Sequence, residues 1–202
     1  MDEQRAFADL DGRVALVTGC GSPDGIGFAT ARLLGRQGAK VAITSTTERI
    51  QERVAELGDE GITASGHVAD LTDPDEAARV VAETVEIHGG LDILVNNAGM
   101  SQVGTEDLGR PFAELSPEEW QAGIDQNLNL TANVTRAALA DIAQAEGGRI
   151  VFVTSVTGPV VSAPGNPAYS AAKAGLDGLM RALAIELGPG GTTVNSVNPG
   201  WI

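Results

Sequence analysis

Cysteine is almost absent from this chain: Cys20 is the only one among 202 residues, which excludes an internal disulfide. Histidine is nearly as scarce. His67 and His88 are too widely separated to suggest a metal site, and both read as ordinary surface or strand-end residues. No apolar run approaches the ~20 residues that a membrane-spanning helix needs. The first ten residues carry Asp2, Glu3, Arg5 and Asp9, unlike a signal segment, so a cytoplasmic location is expected. Basic side chains number 13 against 27 acidic ones, for a net charge of −14. A polyanion would be repelled, so neither nucleic acid nor a membrane is an expected partner.

What is present is a regular alternation of apolar strand-like runs and amphipathic segments. Strands are expected near 13–18, 40–44, 62–68, 91–95, 149–154 and 192–197. Helices are expected near 25–36, 47–57, 74–88, 117–145 (two, or one long and bent) and 168–187. Such alternation predicts an α/β fold with a parallel sheet covered on both faces. No linker or low-complexity run interrupts it, and 202 residues suffice for one core, so a single domain over 1–202 is expected.

Within that frame one trio stands out. Ser155 is followed fourteen residues later by Tyr169, and then by Lys173. On a helix, Tyr169 and Lys173 project from the same face, one turn apart. A phenol, with an ordinary pKa of ~10, exchanges protons poorly at neutral pH unless a neighbouring cation stabilises its phenolate. Lys173 is such a cation. Ser155 ends the apolar run that begins at Arg149, so its hydroxyl could hold the oxygen that Tyr169 protonates.

A Tyr-x-x-x-Lys pair alone is a weak signal, but two other features share the chain with it. The first strand runs into Gly19-Cys20-Gly21-Ser22-Pro23-Asp24-Gly25-Ile26-Gly27, and a small-residue helix follows. Close approach of backbone to a pyrophosphate needs residues without a β-carbon, and a helix N-terminus offers free N–H groups to the anion. The fourth strand ends in Asn96-Asn97-Ala98-Gly99, two amides and a glycine where a parallel sheet opens onto a ligand.

Together these residues, with Asn198-Pro199-Gly200, resemble the short-chain dehydrogenase/reductase family, of the type seen in 3-oxoacyl thioester reductases. The resemblance runs from about Leu10 to Ile202. It implies a Rossmann-like, three-layer, doubly wound sheet. It implies further that Tyr169 is the general acid-base, that Ser155 orients a substrate carbonyl, and that Lys173 binds the nicotinamide ribose and favours the tyrosine's phenolate. Asn127 matches a fourth catalytic position, where a helix irregularity holds a proton-relaying water, although Asn129 and Asn133 lie close by. Cofactor contacts are implied for Gly19, Gly21, Gly25, Ile26, Gly27, Ser45, Thr46, Arg49, Asp70, Asn97, Ala98, Gly99, Tyr169, Lys173, Pro199, Gly200 and Ile202. Among these, Asp70 matches the position that bonds the adenine amino group. The substrate implied is a small carbonyl or alcohol, and the assembly a homodimer or homotetramer built through the helices after Pro117 and Ala168.

Two features depart from the family pattern. Five residues separate Gly19 from Gly25 where three are usual, so either the loop is longer or Gly21 takes the first position. The longer spacing is similar to that of divergent enoyl reductases, but those place six residues between tyrosine and lysine and this chain places three, which favours a carbonyl over a carbon–carbon double bond. Relatives also continue past the Asn-Pro-Gly motif into a substrate lid and a last strand. Here the sequence given stops at Ile202, and truncation of a longer parent is the expectation.

Cofactor choice turns on the end of the second strand. An acid there favours NAD, but the segment reads Ile43-Thr44-Ser45-Thr46-Thr47-Glu48-Arg49. NADP(H) is therefore favoured over NAD(H), with Ser45, Thr46 and Arg49 as phosphate ligands. The same residues could instead cap the next helix, with a threonine at the cap and Glu48 in its first turn. Arg110 is the one obvious charged anchor for a substrate. A carrier-bound substrate is disfavoured, because Glu146 and Gly190 stand where carrier-dependent reductases place arginines. The rival readings are an NAD-dependent alcohol dehydrogenase and a non-catalytic nucleotide-binding fragment.

Overall fold

The computed structural model describes residues 9–99 and 110–200. Its strands are β1 (Val14–Val17), β2 (Lys40–Ser45), β3 (Ala64–Val68), β4 (Ile93–Asn96), β5 (Arg149–Val153) and β6 (Thr193–Val197). They form one parallel sheet in the order β3-β2-β1-β4-β5-β6. The chain reverses direction across the sheet between β1 and β4. In open α/β sheets, ligands bind outside the carboxyl ends of the strands at that switch point.

The helices are α1 (Ile26–Arg36), α2 (Ile50–Asp59), α3 (Pro74–His88), α4 (Pro117–Ile124), α5 (Leu130–Gln144) and α6 (Pro167–Leu187). Alternate residues of the central strands feed two cores, as the two-residue period of a strand dictates. Ala15, Val17, Val41, Ile43, Ile93 and Val95 pack with Phe28 and Ala31 of α1 and Ile50 and Leu57 of α2. Leu16, Ala42, Leu94, Ile150 and Phe152 turn to the other face, against α3, α5 and Leu183 of α6. Strands buried on both faces explain the near-continuous apolar runs in the sequence. β6 is an edge strand among the described residues, with Val197 54% exposed.

Two sequence expectations need correcting. The second helix begins at Ile50 rather than 47: Ser45 Oγ accepts the Thr47 N–H at 3.1 Å, which holds 46–49 as a turn. Arg49, not a threonine, stands at its N-cap, and no side chain caps it. The 117–145 segment, expected as two helices or one long and bent, is α4 and α5 joined by a π-helical turn, Asp125–Asn129, whose hydrogen bonds span five residues rather than four. Finally, His67 and His88 are buried, not superficial: both imidazoles hydrogen-bond Ser65 beneath α3.

Candidate active site

The carboxyl ends of β1, β4 and β5 carry the residues singled out above. Gly19 leaves β1 with a left-handed φ of 72°, and a β-carbon there would sit 2.8 Å from Ala98 Cα. Gly19 therefore keeps the position against β4, and the extra loop residues are accommodated beyond it, with Ser22, Pro23 and Asp24 exposed. A β-carbon on Gly21 would meet Ser45 Oγ at 2.8 Å, and one on Gly27 would lie 2.7 Å from the Gly19 carbonyl. Gly25 forms the N-cap of α1 with no side-chain hydrogen bond, which leaves the first-turn N–H groups without a side-chain acceptor. An uncapped helix end behind a loop whose glycines, Gly19, Gly21 and Gly25, carry no β-carbon fits a diphosphate.

Two groups tie this loop to β4. Asn97 Nδ2 donates to the carbonyls of Thr18 and Gly19, both at 3.0 Å. Thr18 Oγ1 accepts from the backbone N–H of Asn97 at 3.0 Å and of Ala98 at 2.9 Å. Thr18 was not singled out from the sequence. Its signal is modest: a hydroxyl between the end of β1 and the glycine.

Lys173 is 2% exposed, and its ammonium donates to the Val153 carbonyl at 3.2 Å. Burial lowers its pKa to about 8. Nζ stands 5.5 Å from the centre of the Tyr169 ring, as expected for residues one helical turn apart. Ser155 lies two residues beyond Val153, buried, with Oγ accepting from the Thr157 N–H at 3.0 Å. A hydroxyl that accepts from the backbone keeps its own hydrogen available for donation.

Around the π-helical turn the three asparagines are bonded differently. Asn129 Nδ2 donates to Asp125 at 2.5 Å, and Asn133 Nδ2 bridges the carbonyls of Leu71 and Thr72 at 3.2 and 3.1 Å. Asn127 donates to Gly123 O at 3.1 Å, while its Oδ1 is buried with no partner among the described residues. A β-carbon on Gly99 (φ 133°) would lie 3.3 Å from that oxygen and 3.4 Å from Lys173 Nζ. Asn127, Lys173 and Gly99 thus converge.

At the end of β2, Ser45 Oγ and Thr47 Oγ1 are 3.3 Å apart, and Arg49 Nε donates to Thr47 Oγ1 at 3.3 Å. The guanidinium is thereby drawn towards the strand end, with Thr46 exposed beside it. Asp70, after β3, is exposed and accepts from the N–H and hydroxyl of Thr72 at 3.0 and 2.7 Å. Arg110 is not a free anchor: it pairs with Glu119 at 2.6 Å. Pro199 and Gly200 follow β6 beside the Ser155 turn, where Val156 N–H donates to the Pro199 carbonyl at 3.0 Å. Ile202 lies outside the described residues.

A family model described as short chain dehydrogenase matches residues 13–202. The chain is a short-chain dehydrogenase/reductase. As a member of that family it is an oxidoreductase that binds NAD(P). Oxidoreductase UcpA of Salmonella typhimurium is 37% identical over 193 residues, covering 96% of this chain and 70% of that protein. A short chain dehydrogenase from Burkholderia cenocepacia J2315, solved in complex with NADP, superposes with a TM-score of 0.85 at 38% identity, over 96% of this chain and 76% of that one. Carveol dehydrogenase from Mycobacterium avium, solved in complex with NAD, gives 0.86 at 32% identity, over 95% and 71%. Among the described residues no helix is long and apolar enough to cross a membrane, and no group of side chains could hold a metal ion.

Proposed function

We propose that this short-chain dehydrogenase/reductase interconverts a ketone and a secondary alcohol, with NADP(H) preferred over NAD(H). The observation that carries this reading is a buried lysine whose ammonium lies 5.5 Å from the Tyr169 ring centre and converges with Asn127 on Gly99. The glycine loop, the N-terminus of α1 and Asp70 would hold the diphosphate and adenine ends, with Ile26, Ala98, Pro199 and Gly200 alongside. When bound, the dinucleotide donates or accepts a hydride at its nicotinamide ring.

The chain's own part is to orient the substrate oxygen and to move a proton to it. Ser155 Oγ–H donates to that oxygen, and Tyr169 Oη delivers or removes the proton as general acid-base. Lys173 has three N–H donors, one of them used on Val153 O; the others can serve the ribose hydroxyls and the phenolate. Its positive charge favours the phenolate electrostatically. Asn127 Oδ1, an acceptor beside Nζ, would hold the water through which Lys173 regains protons from solvent.

Ser45, Thr46 and Arg49 supply hydroxyl and guanidinium donors at the end of β2, where an acid would repel a 2′-phosphate. The loop after β5 leaves Val160 72% and Val161 49% exposed on the approach to α6, which suits an apolar carbonyl compound such as a free ketone or a coenzyme A thioester. A homodimer or homotetramer is the assembly proposed.

The test is to titrate the purified chain with NADPH and NADH by nicotinamide fluorescence, and to follow NADPH oxidation with acetoacetyl-CoA and cyclohexanone. NADPH should bind more tightly than NADH. Tyr169→Phe should lower kcat by about 10²- to 10⁴-fold while leaving NADPH affinity within about twofold. Turnover indifferent to Tyr169 would sink the catalytic assignment, and tighter binding of NADH would reverse the cofactor preference.

A further inference from the structure

Asp177 lies four residues beyond Lys173 and eight beyond Tyr169 on α6, so the three side chains share one helix face. Its Oδ2 accepts from Asn198 Nδ2 at 3.4 Å, and the same nitrogen donates to the backbone carbonyl of Ser155 at 3.2 Å. Both neighbours of that nitrogen are acceptors only, which fixes the amide's orientation without ambiguity. Around this point the turn after β5 is laced to the segment after β6. Thr154 N–H donates to the Val197 carbonyl at 2.9 Å, and Val156 N–H to the Pro199 carbonyl at 3.0 Å. The Ser155 carbonyl falls between these two backbone bonds, and a side chain completes the lacing.

Resting on the function proposed above, we propose that Asp177 and Asn198 form a positioning strut that sets Ser155 relative to Tyr169. Two connections then join α6 to the Ser155 turn: Lys173 to the Val153 carbonyl, and Asp177 through Asn198 to the Ser155 carbonyl. The first fixes the strand end and the second fixes the residue that holds the substrate oxygen. Asp177 Oδ1 is buried with no partner among the described residues, a cost that a purely structural position would shed by substitution to an apolar residue. Catalysis tolerates little slack between groups acting on one oxygen, since a displacement of about 1 Å can cost 10²-fold in rate.

The experiment compares Asp177→Ala, Asn198→Ala, the double variant and Asp177→Asn. Readouts are kcat and KM for acetoacetyl-CoA, NADPH affinity by fluorescence, and hydrogen exchange at the Val156 and Thr157 amides. Each alanine variant should lose about 10- to 100-fold in kcat with NADPH affinity within about twofold. The double variant should be no worse than either single one, because both break the same strut. Asp177→Asn, which can still accept from Asn198, should recover to within about threefold of the parent and serves if the alanine variant does not fold. Exchange at Val156 and Thr157 should quicken in the alanine variants and not in Asp177→Asn.

Losses that multiply in the double variant, a defect confined to NADPH affinity, or unchanged exchange at both amides would each overturn the strut. If the parent itself shows no Tyr169-dependent turnover, the reductase reading fails, and the exchange measurement decides the strut alone.

Discussion

Two groups of buried polar side chains are satisfied differently. On the flank where β3 meets α3, four groups form a chain. His67 Nδ1 is 2.8 Å from Glu83, His67 Nε2 is 3.0 Å from Ser65 Oγ, and that oxygen is 2.9 Å from His88 Nε2. A carboxylate only accepts, so Nδ1 of His67 carries its proton. With both rings neutral, Ser65 donates to His67 and accepts from His88. Each link then has one donor and one acceptor. At and beside the open ends of the central strands the accounting does not close: Asn96, Asn127 and Asp177 each bury an Oδ1 without a partner among the described residues, and Lys173 buries a charge on one carbonyl. An unsatisfied buried polar atom costs about 1–3 kcal/mol. The unsatisfied atoms at that end of the sheet stand beside the groups proposed to serve cofactor and substrate, whereas the histidine flank is saturated by its own partners.

The sharpest way to break that contrast is to disturb the backbone at the unsatisfied end. In Gly27→Ala the new methyl would run into Asn97 Nδ2 and the Gly19 carbonyl, so the amide must leave its two bonds to the glycine loop. Overpacking of this kind costs about 1–3 kcal/mol in stability. The larger expected effect is on cofactor affinity, with NADPH binding weakened by about 10-fold or more in a fluorescence titration, since the loop can no longer keep its cradle. Wild-type affinity in this variant would mean that the loop's close packing does not serve the ligand.

The same contrast explains what could be read from sequence. Strand positions were legible to within a residue or two, because runs such as Val14–Val17 and Ile93–Asn96 are buried on both faces and allow little but apolar residues. The start of α2 was not, since Ser45 and Thr47 bond each other locally and hold back the helix that their spacing suggests. The placement of Tyr169 and Lys173 one turn apart on α6, with Ser155 just after β5, was legible from order and spacing. Asn127 was harder to tell from Asn129 and Asn133, because a π-helical turn leaves no mark in a continuous helical pattern. The strut of Asp177 and Asn198 and the flank's buried histidines depend on partners far apart in sequence, which periodicity cannot pair.

The saturated flank should answer to pH rather than to cofactor. Burial, and then the nearby Lys40 and His67, hold the His88 pKa below its ordinary value. In the unfolded chain a histidine titrates near ~6.5. As the pH falls below that point the unfolded state takes up its proton first. The stability contributed by neutral His88, present above ~6.5, is therefore lost as pH drops towards the lowered folded value. Glu83, Arg79, His67 and Lys40 all face this cluster, and Lys40 Nζ donates to the His88 carbonyl at 3.1 Å. Melting temperature should fall between pH 7.5 and 5.5, and His88→Gln should flatten that fall. At pH 7.5 the variant should lose about 1 kcal/mol of stability for an imperfect bond to Ser65, with NADPH affinity unchanged. A fall as steep in the variant as in the parent would remove His88 as its source.

Cys20 gives the smallest effect and the finest division between the two kinds of place. It sits inside the glycine loop, yet its thiol is fully buried in the core beside α1, donating to the Val17 carbonyl at 3.4 Å, while its backbone N–H donates to Thr44 O at 2.7 Å. Burial pushes the thiol pKa far up, and only the thiolate reacts with alkylating reagents. Native protein at pH 8 should show almost no labelling by iodoacetamide over the time in which denatured protein labels completely. Any slow reaction would then proceed through opening of the loop, and saturating NADPH should slow it further. Labelling at the rate of a free thiol would show that the loop is not packed onto the core. The division would then fall at the end of β1 itself, with the whole glycine loop belonging to the unsatisfied, ligand-completed side.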